Sequence, residues 1–218
     1  MFKKLEQKLQ SMAGERIEFD ATRFGDPVAM RTAWTSAMGG PTADTLVKVS
    51  SSRLEYRASL RGKLAALLFI LAGLGVVIGF STYKLSSGGL SFHKDTIMPL
   101  LIGLVFSFAG SALLYFVTAP VVFDKRNGFF WKGRKAPDKV SDRTAIKYCS
   151  KLEEIHALQL ISYICSGPKT RTHYRYELNL VLRDGKRIYV VLHDDKDRAR
   201  DEASILSRFL DKPVWDAI

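Results

Sequence analysis

The residues that could perform catalysis or bind a metal ion are few, and their spacing favours structural roles. An acidic stretch from Asp194 to Asp201 follows His193, and carboxylate and imidazole groups are ligand types that bind cations. A helix that begins at this point would use the same carboxylates in its first turn, because a helix N-terminus favours negative charge. We therefore expect Asp194 or Asp195 to cap a helix rather than to bind a metal.

The remaining histidines and the cysteines form no recognisable metal or catalytic motif. His156 lies close to Glu153, but in a largely apolar run where a hydrogen-bonded buried histidine is expected. His173 lies among arginines and tyrosines at the start of a predicted strand. The chain has no CxxC pair, P-loop, nucleophile elbow or HExxH motif. The sequence therefore predicts no catalytic residue, no cofactor and no metal site, and it predicts that Cys149 and Cys165 stay reduced.

The chain contains two long uncharged runs, Leu64 to Tyr83 and Ile97 to Phe123. The position of any functional site depends on whether these runs cross a membrane. At 1.5 Å per helical residue, about 20 apolar residues cross a hydrocarbon layer of ~30 Å, and both runs reach that length. A buried helix of a soluble protein is the alternative, but two such runs joined by a short loop favour an antiparallel membrane hairpin. The first 21 residues contain no continuous apolar core, so the first run is the expected targeting element.

Basic residues are concentrated beside the outer ends of the two apolar runs, whereas the loop between the runs holds only Lys84 and Lys94. The positive-inside rule then predicts that both termini are cytoplasmic. The same residues are expected to contact anionic lipid headgroups, which accounts for the net charge of +11 without nucleic-acid binding. These predicted contact residues are Arg53, Arg57, Arg61, Lys63, Lys125, Arg126, Lys132, Arg134 and Lys135.

Each apolar run carries small residues at helical spacing, which lets two helix backbones approach closely. The first run carries Gly73, Gly75 and Gly79, of which Gly75 and Gly79 are expected to support close contact, and the second carries Gly103, Ser107 and Ser111. We expect these faces to pack together in the hairpin or to serve formation of a homo-oligomer, and the spacing does not separate the two. Neither run contains a charged side chain, which argues against a proton relay or a transport site.

The rest of the chain divides around the hairpin. Residues 1–44 are predicted to hold a basic amphipathic helix at 2–12, lying on the membrane or on the protein's own domain, and then an irregular segment. Residues 45–60 are predicted to form a strand pair, and residues 61–119 the transmembrane hairpin. Residues 120–218 are predicted to form a cytoplasmic domain.

The pattern of this last region predicts antiparallel strands followed by one amphipathic helix. Asn127-Gly128 and Asp184-Gly185 are the turn residues expected in tight hairpins. Pro213 ends the helix. The predicted elements are the hairpin from Phe123 to Trp131, the strand from Glu154 to Ile161, the hairpin from Tyr176 to Gly185 and onward to Leu192, and the helix from Ala199 to Leu210.

This order of elements resembles the pleckstrin-homology-like (PH-like) domains that are common in bacterial membrane proteins. The resemblance implies an α+β membrane protein of the bacterial inner membrane, with a two-helix transmembrane hairpin and a PH-like antiparallel β domain closed by a C-terminal helix. Such domains bind lipid headgroups or protein segments and seldom perform chemistry. The strands at 45–60 are candidates for the same sheet, in which case the hairpin interrupts one domain.

The sequence therefore predicts a membrane-anchored, non-enzymatic binding or scaffold protein that presents its domain at the inner leaflet. Its expected partners are membrane lipids and an unidentified protein. One alternative is an immunity or envelope-defence protein that captures an effector at the membrane. Another is an oligomeric channel or permeability factor built on the small-residue faces.

Overall fold

The computed structural model describes residues 19–36, 44–87, 94–139, 148–167 and 170–218. Within them the chain is a mixed α+β protein that divides into two compact units. One unit is Tyr56–Pro120, and the other combines Met1–Glu55 with Val121–Ile218. The amphipathic helix predicted at residues 2–12 and the loop histidine, His93, lie outside the described residues.

The two long helices are inserted between strands, and most strands follow them. The elements are α1 (Pro27–Arg31), β1 (Asp44–Ser50), β2 (Arg53–Ala58), α2 (Leu60–Ser86), α3 (Lys94–Val117), β3 (Val121–Asp124), β4 (Phe129–Lys132), β5 (Cys149–Lys151), β6 (Ile155–Gly167), β7 (Thr170–Leu182), β8 (Arg187–His193), α4 (Lys196–Leu210) and β9 (Val214–Ala217).

The helical unit contains two helices that are long and apolar enough to cross a membrane. Gly62–Ser86 has a mean hydropathy of 2.5, and Thr96–Val117 has a mean hydropathy of 2.2. Only 11% of the most apolar stretch of each helix is buried. The core helix of a soluble protein buries most of its apolar residues, and these two helices leave most of theirs exposed within the described residues.

The backbones of helices α2 and α3 are in close contact at glycine residues. A Cβ atom added at Gly73 would lie 2.5 Å from the carbonyl oxygen of Gly103 and would also collide with the hydroxyl of Ser107. A Cβ atom added at Gly110 would lie 2.8 Å from the backbone nitrogen of Ile70. The contact therefore leaves no space for a side chain at Gly73 or Gly110. It includes Gly103 and Ser107, two residues of the small face predicted in the second helix.

Of the three glycines named in the first run, only Gly73 lies in the contact with α3. Gly75 and Gly79 have nothing within 4 Å of an added Cβ atom, so they lie outside the contact. Gly75 is two residues beyond Gly73, which turns it about 200° around the helix. Ser111 donates its hydroxyl to the carbonyl oxygen of Ser107 within its own helix, at 2.8 Å. Gly75 and Gly79 thus form a small face on another side of α2, and of their two expected roles only the one in a homo-oligomer stays a prediction.

Substituting Gly73 by leucine is expected to force the helices apart, because its Cβ atom meets backbone and not a flexible side chain. Overpacking of this kind costs about 1–3 kcal/mol. Thermal unfolding of the purified protein in mild detergent measures the effect. Gly75→Leu is the matched control and should unfold at the wild-type temperature. Equal destabilisation by the two substitutions would contradict the contact.

The strands form two sheets, with the orders β1-β2-β3-β4-β5 and β8-β7-β6-β9. Strands β2 and β3 are neighbours in the first sheet although the two long helices separate them in the chain. Ser59 alone connects β2 to α2, and residues 118–120 connect α3 to β3. The strands predicted at 45–60 therefore belong to the same sheet as the hairpin that follows the helices.

The β3–β4 hairpin forms the centre of the first sheet. Phe123 pairs with Phe130, and Val122 pairs with Trp131. These four side chains are at most 2% exposed. At the turn, the Asp124 carboxylate accepts hydrogen bonds from the backbone N–H groups of residues 126 and 127. Gly128 has φ of 73°, a conformation that glycine adopts without strain.

The second sheet is built on a long hairpin. Strands β6 and β7 have 13 residues each and pair antiparallel from Ile155 opposite Leu182 to the far end. Strand β9 lies parallel to β6, with Val214 opposite Leu158. Strands β5 and β9 were not predicted, because segments of three and four residues are too short to show an alternating pattern.

The segment predicted to be irregular folds onto the second sheet. Val28 and Ala29 of α1 pack against Ala157, Val181 and Trp215. Phe24 and Trp34 lie over the same cluster, with ring centroids 5.4 Å apart. A 3-10 helix at Ala21–Phe24 and helix α1 each have an N-cap, since Asp20 and Asp26 accept hydrogen bonds from backbone N–H groups two residues ahead.

Polar contacts hold the same segment on the sheet. Gln159, fully buried, donates to the carbonyl oxygen of Ala33 at 3.0 Å. Ser36 donates to the buried carboxylate of Glu177 at 2.6 Å. Nε2 of His156 lies 2.7 Å from Oδ2 of Asp26. Burial alone would raise the pKa of Asp26, but hydrogen bonds from His156 and from the backbone N–H of Val28 lower it below its usual value.

Helix α4 begins as predicted: Asp195 is its N-cap, and its carboxylate accepts a hydrogen bond from the Arg198 backbone N–H at 2.7 Å. His193, just before the helix, is 2% exposed. Its Nε2 atom lies 3.3 Å from Oε2 of Glu202. Burial lowers the pKa of His193, an effect that the Glu202 carboxylate opposes. The folded state therefore favours the neutral imidazole.

Acidification is expected to destabilise the domain through His193. The unfolded chain protonates this histidine near its ordinary pKa of about 6.5, whereas the folded chain binds the proton only at lower pH. Stability should therefore decrease as pH falls from about 7 through this range. His193→Gln should weaken that dependence. Melting temperatures of both proteins at several pH values measure it, and parallel curves would contradict the explanation.

Candidate functional site

The nine basic residues predicted to face lipid headgroups do not form one surface. Antiparallel pairing places Lys132 opposite Val121, at one end of the β3–β4 hairpin. Lys125 and Arg126 lie in the turn at its other end. The side chains of Arg57, Arg126, Arg134 and Lys135 are exposed and that of Lys63 is partly exposed, whereas the side chain of Arg61 is outside the described part of the chain.

Arg53 is part of the structure of the first sheet. Its Nε atom lies 2.7 Å from Oε1 of Glu55, and its Nη1 atom lies 3.7 Å from Oδ2 of Asp124. Its guanidinium carbon is 5.4 Å from the ring centroid of Trp131. Two carboxylates and an aromatic face thus hold this cation, which leaves it little capacity for a headgroup.

Lys132 links the two sheets. Its ammonium group donates to the carbonyl oxygen of Val190 at 3.2 Å. The same group lies 4.3 Å from the ring centroid of Tyr189 and 5.6 Å from that of Tyr148. A cation between two rings contributes roughly 0.5–2 kcal/mol, according to how far it is desolvated. Lys132 therefore stabilises the domain.

Of the nine basic residues predicted to contact headgroups, Lys125 lines a pocket in the described part of the chain. An open pocket of about 560 Å³ lies between the β3–β4 turn, the end of β5 with the residues that follow it, and the end of α4 with the residues that follow it. Three lysines, one from each of these segments, line it. The lining residues are Lys125, Asn127, Gly128, Phe129, Lys151, Leu152, Glu153, Leu210 and Lys212.

Contacts within the walls of the pocket fix its shape. Asp124 holds the turn through three hydrogen bonds, one of them from the side-chain amide of Asn127. The backbone N–H of Leu152 donates to the carbonyl oxygen of Gly128 at 2.8 Å, which joins the two walls. The ammonium group of Lys125 lies 4.9 Å from the ring centroid of Phe209. The site is thus preformed around Lys125.

The lining gives the pocket a net positive charge. Lys125, Lys151 and Lys212 contribute three positive charges, and Glu153 contributes one negative charge. Glu153 lies 3.2 Å from the ammonium group of Lys151, so it orients that lysine. Ammonium groups bind phosphate and carboxylate oxygens as strong charge-assisted donors. A phosphate or carboxylate group with a small apolar neighbour, placed against Phe129 and Leu152, matches this lining.

The candidate catalytic and metal-binding residues remain apart. Among the described residues, no three histidine, cysteine or acidic side chains are grouped so that they could hold a metal ion. His156 is paired with Asp26, and His193 lies against Glu202. Cys149 and Cys165 form no disulfide bond, and each is partly exposed. His173 lies opposite Cys165 in the β6–β7 hairpin.

Comparison with known proteins gives no relative from which a site can be transferred. No family model matches the chain, and no curated protein matches it.

Lys151 and Lys212 were not among the predicted site residues. They are 61 positions apart in the sequence: Lys151 is the last residue of β5, a strand that was not predicted, and Lys212 follows α4. No local pattern in the sequence connects the two lysines. Only the packing of the end of α4 beside the β3–β4 turn brings them to one pocket.

Removing two pocket lysines is expected to weaken anion binding. With inorganic pyrophosphate as the probe, isothermal titration calorimetry at low salt should show at least a tenfold higher Kd for Lys125→Ala/Lys212→Ala. A tenfold change corresponds to about 1.4 kcal/mol. The matched control, Arg134→Ala/Lys135→Ala, removes the same charge at exposed positions outside the pocket.

The control should bind pyrophosphate like the wild-type protein. Equal weakening in the two double variants would mean that net charge, and not the pocket, attracts the anion. The full chain in uncharged detergent is used for all three titrations, with thermal unfolding as the check that each variant is folded.

Proposed function

We propose that this chain is a membrane-anchored, non-enzymatic binding protein of the bacterial inner membrane, with a PH-like domain on the cytoplasmic side. Helices α2 and α3 form the transmembrane hairpin. The β domain binds an anionic group, carried by a lipid or by a protein partner, in the pocket around Lys125. Its role is to hold that partner at the inner leaflet.

One observation carries this proposal: two outward-facing apolar helices are inserted between neighbouring strands of one sheet. The domain is therefore joined to the hairpin twice, by Ser59 and by residues 118–120. Such an arrangement suits a protein whose β domain is tethered to a membrane by its own chain.

The distribution of charge supports the proposed orientation. Basic residues near the outer helix ends, such as Arg57, Lys63 and Arg134, belong on the cytoplasmic side by the positive-inside rule. Each exposed lysine or arginine near an anionic surface contributes about 1 kcal/mol of attraction. Arg53 and Lys132 are left out of this estimate, since their charges are already engaged within the domain.

The lining of the pocket supports binding without chemistry. Its titratable groups are three lysines and Glu153, and Glu153 is paired with Lys151. Hydrolysis or acyl transfer requires a nucleophile beside a base that is itself held by a third group. The pocket side chains supply charge and an apolar floor, which are the features of a recognition site.

Cysteine labelling in intact bacteria tests the proposed topology. A membrane-impermeant maleimide should label Ser87→Cys, which lies in the exposed end of α2, and should leave Cys149 and Cys165 of the wild-type chain unlabelled. All these positions should react once the cells are permeabilised. Labelling of the wild-type chain in intact cells would place the β domain outside and overturn the proposal.

A further inference from the structure

The lining of the pocket around Lys125 carries an excess of two positive charges. Its charged residues are three lysines, Lys125, Lys151 and Lys212, and one glutamate, Glu153. Oε1 of Glu153 lies 3.2 Å from the ammonium group of Lys151, so this carboxylate is already paired with one of the lysines. Among the described residues, Lys125 and Lys212 have no acidic partner. A ligand that neutralises the pocket therefore carries two negative charges.

The three lysines come from three segments whose backbones are held in place. The backbone N–H of Leu152 donates to the carbonyl oxygen of Gly128 at 2.8 Å, and the backbone N–H of Lys212 donates to the carbonyl oxygen of Ser207 at 3.2 Å. Each ammonium group is a compact point charge with three donors, whereas an arginine presents a planar fork. Three separate ammonium groups suit a ligand group that has several acceptor oxygens pointing in different directions.

We propose that this pocket binds the dianion of a phosphate monoester whose ester-linked group is apolar. A phosphate monoester carries nearly two negative charges at pH 7 and has three strong acceptor oxygens, which match the excess charge and the number of lysines. The side chains of Phe129, Leu152 and Leu210 provide apolar surface in the same lining. The inference rests on the proposed function, which places an anionic group in this pocket, and it specifies the chemical class of that group.

A carboxylate or a phosphate diester matches the pocket less well than a phosphate monoester does. Each of them carries one negative charge near pH 7, which leaves one excess positive charge of the lining uncompensated. Each also has only two free oxygens for the three ammonium groups. Because Coulomb attraction is proportional to the charge of the ligand, a dianion is attracted by each lysine about twice as strongly as a monoanion at the same distance.

Three probes that share a phenyl group test the requirement for two charges. Phenyl phosphate is a dianion at pH 7.5, phenyl sulfate has the same tetrahedral shape with one charge, and benzoate is a planar monoanion. Isothermal titration calorimetry of the full chain in uncharged detergent should give phenyl phosphate a Kd roughly fivefold or more below that of either monoanion. Lys125→Ala/Lys212→Ala should abolish this preference, whereas the control Arg134→Ala/Lys135→Ala should retain it.

The ionisation of the probe gives a second readout without substitutions. The phosphate dianion binds a proton with a pKa of about 6, so most of it is a monoanion at pH 5.5. The Kd of phenyl phosphate should therefore rise about fourfold between pH 7.5 and pH 5.5. Phenyl sulfate keeps one charge throughout this range, so its Kd should not change. The sulfate is thus the control for any effect of acid on the protein itself.

Nanodiscs distinguish a lipid from a soluble molecule as the carrier of the phosphate. The full chain is assembled in phosphatidylcholine nanodiscs that contain phosphatidic acid, a monoester, or phosphatidylglycerol, a diester, at fractions that give equal surface charge. A lipid that enters the pocket should compete, so phosphatidic acid should raise the Kd of phenyl phosphate roughly tenfold relative to phosphatidylglycerol. Equal Kd values in the two nanodiscs would assign the monoester to a soluble carrier.

The outcomes separate this inference from the proposed function. Equal affinities for the three phenyl probes would overturn the dianion and leave the anion-binding pocket of the proposed function in place. A preference for phenyl phosphate that persists in Lys125→Ala/Lys212→Ala would place the phosphate site elsewhere and also overturn the inference. If none of the three probes binds, the role of the pocket in the proposed function is wrong as well.

Discussion

The fold depends on one topological constraint: the chain leaves a β-sheet at β2, forms two long apolar helices, and returns to the same sheet at β3. Neighbouring strands lie about 4.8 Å apart, so the sheet holds both ends of the helical segment close together. The hairpin must therefore be antiparallel and tightly packed. Glycines at positions 73, 103 and 110 satisfy this requirement from within the helices, by letting the two backbones touch.

The sequence predicted the elements that carry a local signal. Long apolar runs gave the two helices, and the Asn127-Gly128 and Asp184-Gly185 steps gave two hairpin turns. The prediction failed where the structure of a segment depends on the element that packs or pairs with it. The side of α2 that meets α3 follows from the position of the other helix, so Gly75 was indistinguishable from Gly73. Strand β9 exists because β6 offers it an edge, and four residues of sequence cannot show that.

The same distinction applies to the candidate site. A count of lysines and arginines gave every basic residue the same role, whereas packing gives them different ones. Arg53 and Lys132 are held by carboxylates, carbonyls and aromatic rings inside the domain. Lys125 meets Lys151 and Lys212 only after α4 has packed beside the first hairpin. The positions of basic residues in the sequence therefore predict membrane orientation. Whether a given basic side chain is able to bind a ligand depends on its tertiary contacts.

The second sheet shows two solutions to the problem of covering a β-surface. On one face, buried Gln159 and Glu177 have partners because residues 33–36 lie across them and supply a carbonyl oxygen and a hydroxyl group. A buried amide or carboxylate without such partners would cost about 1–3 kcal/mol, or more for the charged group. On the other face, the side chains of Leu158, Leu160, Leu178 and Leu180 are at most 1% exposed, and they have no hydrogen bonds to satisfy. A polar face therefore requires a covering segment whose donors and acceptors match it, whereas an apolar face requires only packing that excludes water.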